Sequence, residues 1–131
     1  MNEAWGFTVE GNPPSLNSTY AIVYMPPYCP ACHRGQPRLG KKSPVETWQE
    51  LVAWRAKSAR PSGWTPGRRT IIEYELYVMR EGRDADGPAK ALLDGIKHGL
   101  GCDDRGFLAR AMLIEKDKAN PRTVVRLWNA E

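Results

Sequence analysis

Residues 70–100 change their hydrophobic period once, and that change limits the folds open to the chain. Over 70–80, Ile72, Tyr74, Leu76 and Val78 alternate with Glu73 and Glu75. This is the period of a strand with one buried face. Glu81-Gly82 breaks the alternation. After Gly87-Pro88, with Pro88 expected as the first helical residue, Ala89, Leu92, Leu93, Ile96 and Leu100 recur at helical spacing. Lys90 and Lys97 lie off that stripe, and Gly99 and Gly101 are expected to end it. A half-buried strand followed by an amphipathic helix must share a core, which points to an α/β architecture.

The remaining segments fit around this unit. Residues 5–10 read as a short strand with Phe7 and Val9 on one face, and Gly11-Asn12-Pro13-Pro14 breaks it. Residues 20–24 suit a further β segment. A basic loop with cysteines is expected over about 25–42, because the stretch is rich in Pro and Gly. Ser43 is expected to cap a helix, with Pro44 as its first residue and Glu46 completing a capping box. Trp48, Leu51, Val52 and Ala59 would face the core; Gln49, Glu50, Lys57 and Arg60 would face solvent; Pro61 would end the helix. Strands are expected over 107–116 and 123–128. The turn Asp117-Lys118-Ala119-Asn120-Pro121 would join them as an antiparallel hairpin. The expectation is one small α/β domain over 1–131, with a mixed β-sheet and two main helices in the order β-α-β-α-β-β.

Composition narrows the class. Hydrophobic residues make up 41% and charged residues 26% of the 131, as in globular domains with a real core. No apolar run approaches the roughly 18 residues needed to span a bilayer, and no signal peptide is visible, so a cytoplasmic location and no membrane partner are expected. Three cysteines do not make a disulfide framework. The net charge of +4 leans toward polyanionic partners.

Between the strand and the helix lie Asp84 and Asp86; just after the helix come Asp103 and Asp104. An EF-hand loop counted from Asp84 fails, since it needs an oxygen ligand at position 5, Gly at 6 and Glu at 12, and finds Pro88, Ala89 and Gly95. Two readings stay open. In one, the four aspartates are ordinary turn and helix-flanking residues. In the other, the folded chain gathers them, and their mutual repulsion is relieved by a divalent cation. Hard carboxylate oxygens suit Mg²⁺ or Mn²⁺. Lys90, four residues past Asp86, is either an exposed helix lysine or a group that meets a phosphate oxygen or a leaving group.

The pattern Asp84-x-Asp86-x-x-x-Lys90, a helix with Leu93-Asp94, then Asp103-Asp104 resembles the RusA family of Holliday junction resolvases. Gly11-Asn12-Pro13-Pro14-Ser15-Leu16-Asn17 with Tyr20 is similar to that family's N-terminal Pro-Pro-Ser-x-Asn segment. The likeness covers most of the chain outside 25–42. It implies a homodimeric, Mg²⁺- or Mn²⁺-dependent endodeoxyribonuclease that cuts four-way DNA junctions symmetrically in recombination and repair, in a bacterial cell or for a phage within one. It further implies that Asp84, Asp86 and Asp104 are metal ligands, with Asp103 as a neighbouring candidate, and that Lys90 is catalytic. Two nicks in opposite strands need two sites related by a two-fold axis, which suits a dimer. The chain departs from the family where Gly87 stands in place of Asn after the second aspartate. A non-catalytic junction- or DNA-binding protein of the same fold, or a nuclease for other branched DNA, are the alternatives.

Arg34, Arg38, Lys41, Lys42, Arg68, Arg69 and Arg83 are the candidate phosphate contacts. Trp64 and Tyr28 are open to base stacking or to packing in the core. Cys29-Pro-Ala-Cys32-His33 has the spacing of a c-type haem attachment, but no export signal accompanies it and no haem is expected. Cys29 and Cys32 could instead give two ligands to a structural Zn²⁺, which wants four, with Cys102 or a second subunit completing the set. Free thiols are the alternative.

Overall fold

The computed structural model describes residues 3–14, 20–29, 34–41, 43–80 and 88–130; for 20–29, 34–41 and 43–44 it describes the backbone alone. In chain order the elements are β1 (Trp5–Glu10), β2 (Tyr20–Cys29), β3 (Arg34–Lys41), α1 (Ser43–Ala59), β4 (Thr70–Val78), α2 (Ala89–Leu100), β5 (Phe107–Lys116) and β6 (Arg122–Asn129). They make a small mixed α/β domain. Four strands form one sheet in the order β1-β6-β4-β5, and β2 and β3 form a separate antiparallel pair.

β4 holds the centre of the larger sheet because it has the most to bury. Ile72, Tyr74, Leu76 and Val78 are almost wholly inaccessible, and burying side chains of this size stabilises by about 1.5–3 kcal/mol each. Strand β5 lies parallel to β4, from Thr70 opposite Phe107 to Val78 opposite Lys116, with a bulge after Tyr74. Strand β6 lies antiparallel on the other side of β4, and β1 antiparallel beyond it.

This pairing corrects the expected β5–β6 hairpin. The turn forms as its residues suggest: the Asn120 amide donates to the carbonyl of Asp117, and Arg122 pairs with the Asp117 carboxylate at 2.8 Å. It reaches across β4, however, and the Asp117 amide donates to Val78 at the end of that strand. Turn chemistry fixes a reversal of the chain, not the partner of each strand. The partner follows from burial, and β5, mostly exposed along its length, takes the edge.

The loop expected at about 25–42 is likewise corrected. Its backbone pairs as β2 and β3, with Tyr20 opposite Lys41 and Cys29 opposite Arg34, and an irregularity after Met25. Pro26 and Pro27 fall within that irregular segment, for which no pairing register holds, and each strand of a two-stranded sheet has a free edge, where Pro37 can sit without removing a ladder hydrogen bond.

The helices bring their apolar stripes to the sheet. Val45, Trp48, Val52 and Ala56 of α1 and Ala91, Leu92, Ile96 and Leu100 of α2 join Trp5, Phe7, Val9, Trp64, Val125 and Leu127 in one core cluster. The two helices approach closely. A Cβ at Gly95 would stand 2.7 Å from Val52 Cγ1, and one at Gly99 would run into the main chain of Ala53. Gly99 therefore lies inside α2 and does not end it. Gly101 does, at φ 65°, its amide donating to Lys97. Pro88 precedes the first helical residue as N-cap. Gln49, expected at the surface, is buried between the helices and donates through Nε2 to the Ala91 carbonyl at 3.0 Å.

Candidate functional site

The parallel β4–α2–β5 unit decides where the acidic residues go. Strand β4 ends at Val78, and the chain from 81 to 87 carries Arg83, Asp84, Asp86 and Gly87; these lie outside the described residues. Helix α2 then joins β4 to the parallel β5, whose first residue pairs with the first of β4. Asp103 and Asp104 consequently stand at the N-terminal edge of the β4–β5 pair. Asp103 meets Arg105 at 3.6 Å, with both side chains well exposed. The Asp104 carbonyl accepts from the Phe107 amide at 3.0 Å, which ties the acidic turn to the start of β5. The Cys102 thiol, half-buried beside the two carboxylates, is pushed up from its ordinary value, first by burial and then by the charges of Asp103 and Asp104.

Lys90 is exposed in the first turn of α2. It lies at the other end of the helix from Asp103 and Asp104; Gly101, which closes that end, is about 16 Å from Lys90 along the axis at 1.5 Å per residue. Pro88 and Gly101 stand about 20 Å apart by the same rise. Residues 86–88 and 101–104 reach at most about 7 and 10 Å. Asp86 and Asp104 of one chain therefore share a metal ion only where both flanks lie back along α2, with the two side chains and the ion covering the remainder. The donor set fits Mg²⁺ or Mn²⁺ in kind, being all carboxylate oxygen. Among the described residues no group of three His, Cys, Asp or Glu side chains gathers at one point.

Of the candidate phosphate contacts, Arg68 and Arg69 are exposed just before β4, at the same edge as Asp103 and Asp104. The loop that carries them is held by Asn129. Its Oδ1 accepts from the Gly67 amide at 2.8 Å and from Thr70 Oγ1 at 3.0 Å, and its Nδ2 donates to the Thr65 carbonyl at 3.0 Å. Arg34, Arg38 and Lys41 occupy positions along β3, where the backbone alone is described, and Lys42 lies outside the described residues. Cys29 ends β2; Cys32 and His33 fall outside the described residues, between β2 and β3. Trp64 packs rather than stacks on a ligand: it is buried edge-on against Trp5, with ring centroids 5.1 Å apart. The side chain of Tyr28 is not among those described.

The opposite, C-terminal edge of the β4–β5 pair holds residues that the sequence reading left unassigned. The Met79 amide donates to Asn12 Oδ1 at 3.0 Å, and the Gly11 amide to the Pro121 carbonyl. Thus the start of the Asn-Pro-Pro segment is tied to the strand end from which 81–87 departs. Met79, Arg80, Lys116 and Lys118 line a cavity of about 450 Å³ at this edge. Their meeting depends on the parallel pairing of β4 with β5, and no local sequence signal announces that pairing. No helix among the described residues is long and apolar enough to cross a membrane. No family model matches the chain, and no curated protein does.

Proposed function

We propose that the chain is a Mg²⁺- or Mn²⁺-dependent endodeoxyribonuclease of the RusA type, a homodimer that resolves Holliday junctions by paired phosphodiester hydrolysis in the bacterial cytoplasm. The observation that carries this reading is Asp84-x-Asp86-x-x-x-Lys90 and Asp103-Asp104 bracketing a helix. In its support, that helix exists as α2, within a β4–α2–β5 unit, with Lys90 exposed at its start and the acidic pair at its end. The tie between Asn12 and Met79 is a further support, since it joins the other stretch that resembles the family to the strand leading into Asp84.

In this reading Asp84, Asp86 and Asp104 hold the cation, and Asp103 adds negative charge beside them. When bound, the ion would lower the pKa of a water molecule and offset charge developing on the phosphate. The water oxygen bonds to phosphorus, one phosphorus–oxygen bond to a sugar breaks, and the departing oxygen takes up a proton. Lys90 supplies positive charge to a phosphate oxygen or to that departing oxygen. The exposed Arg68 and Arg69 would hold the DNA backbone at the edge that carries Asp104.

A panel of synthetic DNAs tests the reading. With Mg²⁺, the protein should cut a four-way junction into paired, symmetric nicks, and should leave linear duplex intact. Preferential cutting of a flap would make it a nuclease for other branched DNA. Tight junction binding without cutting under either metal would make it a non-catalytic binder, with Gly87 as the departure responsible.

A further inference from the structure

We propose that the cavity at the C-terminal edge of the β4–β5 pair, lined by Arg80, Lys116 and Lys118, binds a backbone phosphate of DNA. The inference rests on the reading of the chain as a DNA-processing protein and adds a contact which that reading did not include. Three cationic side chains converge there from the ends of two parallel strands, around about 450 Å³ of space. Among the described residues no carboxylate pairs with any of the three. Of the acids next to them in sequence, Asp117 is engaged by Arg122 at 2.8 Å and by the Asn120 amide, Glu115 alternates with Lys116 along β5 and so points to the other face, and Glu81 lies outside the described residues. Three like charges around one cleft repel one another, and an anion among them relieves the repulsion.

The chemistry favours a phosphodiester over a small organic acid. Lysine and arginine at the rim of an open cleft bind phosphate as charges, with no demand for a shaped pocket. Met79, 42% exposed on the same wall, suits the apolar face of a sugar next to the phosphate. The position is also right. Arg80 lies four residues before Asp84 in the chain, at the strand end that leads into the acidic stretch.

The test measures how binding depends on salt. Each phosphate contact contributes about 0.9 to the slope of log Kobs against log salt for duplex DNA. Binding of a labelled four-way junction is followed by fluorescence anisotropy in EDTA, so that no cutting intervenes. The triple variant Arg80→Gln, Lys116→Gln, Lys118→Gln should lose about 0.9 from the slope, the share of the one phosphate held there. Lys118→Gln alone should lose part of that share and weaken junction binding at low salt, and it serves if the triple variant does not fold by circular dichroism. Lys57→Gln, on the exposed side of α1, should leave the slope unchanged. An unchanged slope in folded triple or single variants overturns the proposal, and so does absence of junction binding by the unaltered protein. If the slope falls as expected but the unaltered protein cuts no DNA with Mg²⁺, the cavity stands and the nuclease reading fails. If cutting is normal and the slope does not move, the reverse holds.

Discussion

At the N-terminal edge of the sheet, three hydrogen bonds meet on the single side chain of Asn129. One of its partners, Thr70, is fully buried. Asn129→Ala should therefore destabilise the fold by about 1–3 kcal/mol, because it leaves a buried hydroxyl unpaired. Chemical denaturation reads this directly, and a loss below about 0.5 kcal/mol would show that water replaces the side chain. A second residue, Tyr77, carries a pH signature. Its hydroxyl donates to Glu75 Oε2 at 2.9 Å, which raises the phenol above the ordinary 10.0; partial burial adds to this and the Arg122 guanidinium over the ring opposes it. With the folded value raised, the contribution to stability is fully present below pH 10.0 and is lost as the pH climbs through the folded value. Ultraviolet titration should find a tyrosine step above the ordinary range that is absent in Tyr77→Phe and moved down in Glu75→Gln. A Tyr77 step at the ordinary value contradicts the assignment.

At the scale of elements, the contact between α1 and α2 sets the geometry of the crossover that separates Lys90 from Asp104. Gly95 and Gly99 permit it by having no Cβ. In an exposed helix Gly→Ala stabilises by about 1 kcal/mol. Here Gly99→Ala should instead destabilise by about 1–3 kcal/mol, because the added methyl meets the Ala53 main chain, which cannot turn aside as a side chain can. Thermal unfolding checks the sign; a stabilised Gly99→Ala would mean that the helices are not in close contact. Both elements were legible in the sequence, since the periods of Trp48 and Val52 and of Leu92 and Ile96 are plain. The contact itself was not. Gly99 read as a stop signal, because a glycine near a helix end serves equally as a C-cap or as a point of close approach, and the partner helix decides which.

Over the whole molecule, the strand-to-helix passage at 70–100 was legible because alternation and helical spacing are properties of adjacent residues. The α/β class followed from it. The partners of β5 were not legible, because the turn at 117–121 signals a reversal and is silent on whether β4 lies in between. The same gap hid half of the edge chemistry: Arg80 and Lys116 meet only when β4 and β5 run parallel. Gln49 was misplaced for a related reason, as an amide can be buried once a partner such as the Ala91 carbonyl stands beside it. The acidic pattern was visible as spacing, and its Asp103–Asp104 half falls at the N-terminal edge rather than at the strand end that follows β4.

The most direct test of the metal-dependent nuclease is cleavage of a four-way junction by the unaltered protein, Asp86→Asn and Asp104→Asn at equal concentration, with Mg²⁺ and with EDTA. The account predicts paired nicks that require the metal, and a loss of about 100-fold or more in each variant, as when a charge-stabilising group is removed from an active site. Junction binding should persist in both, since the carboxylates repel the backbone. Equal cutting by all three proteins, or cutting in EDTA, would contradict it.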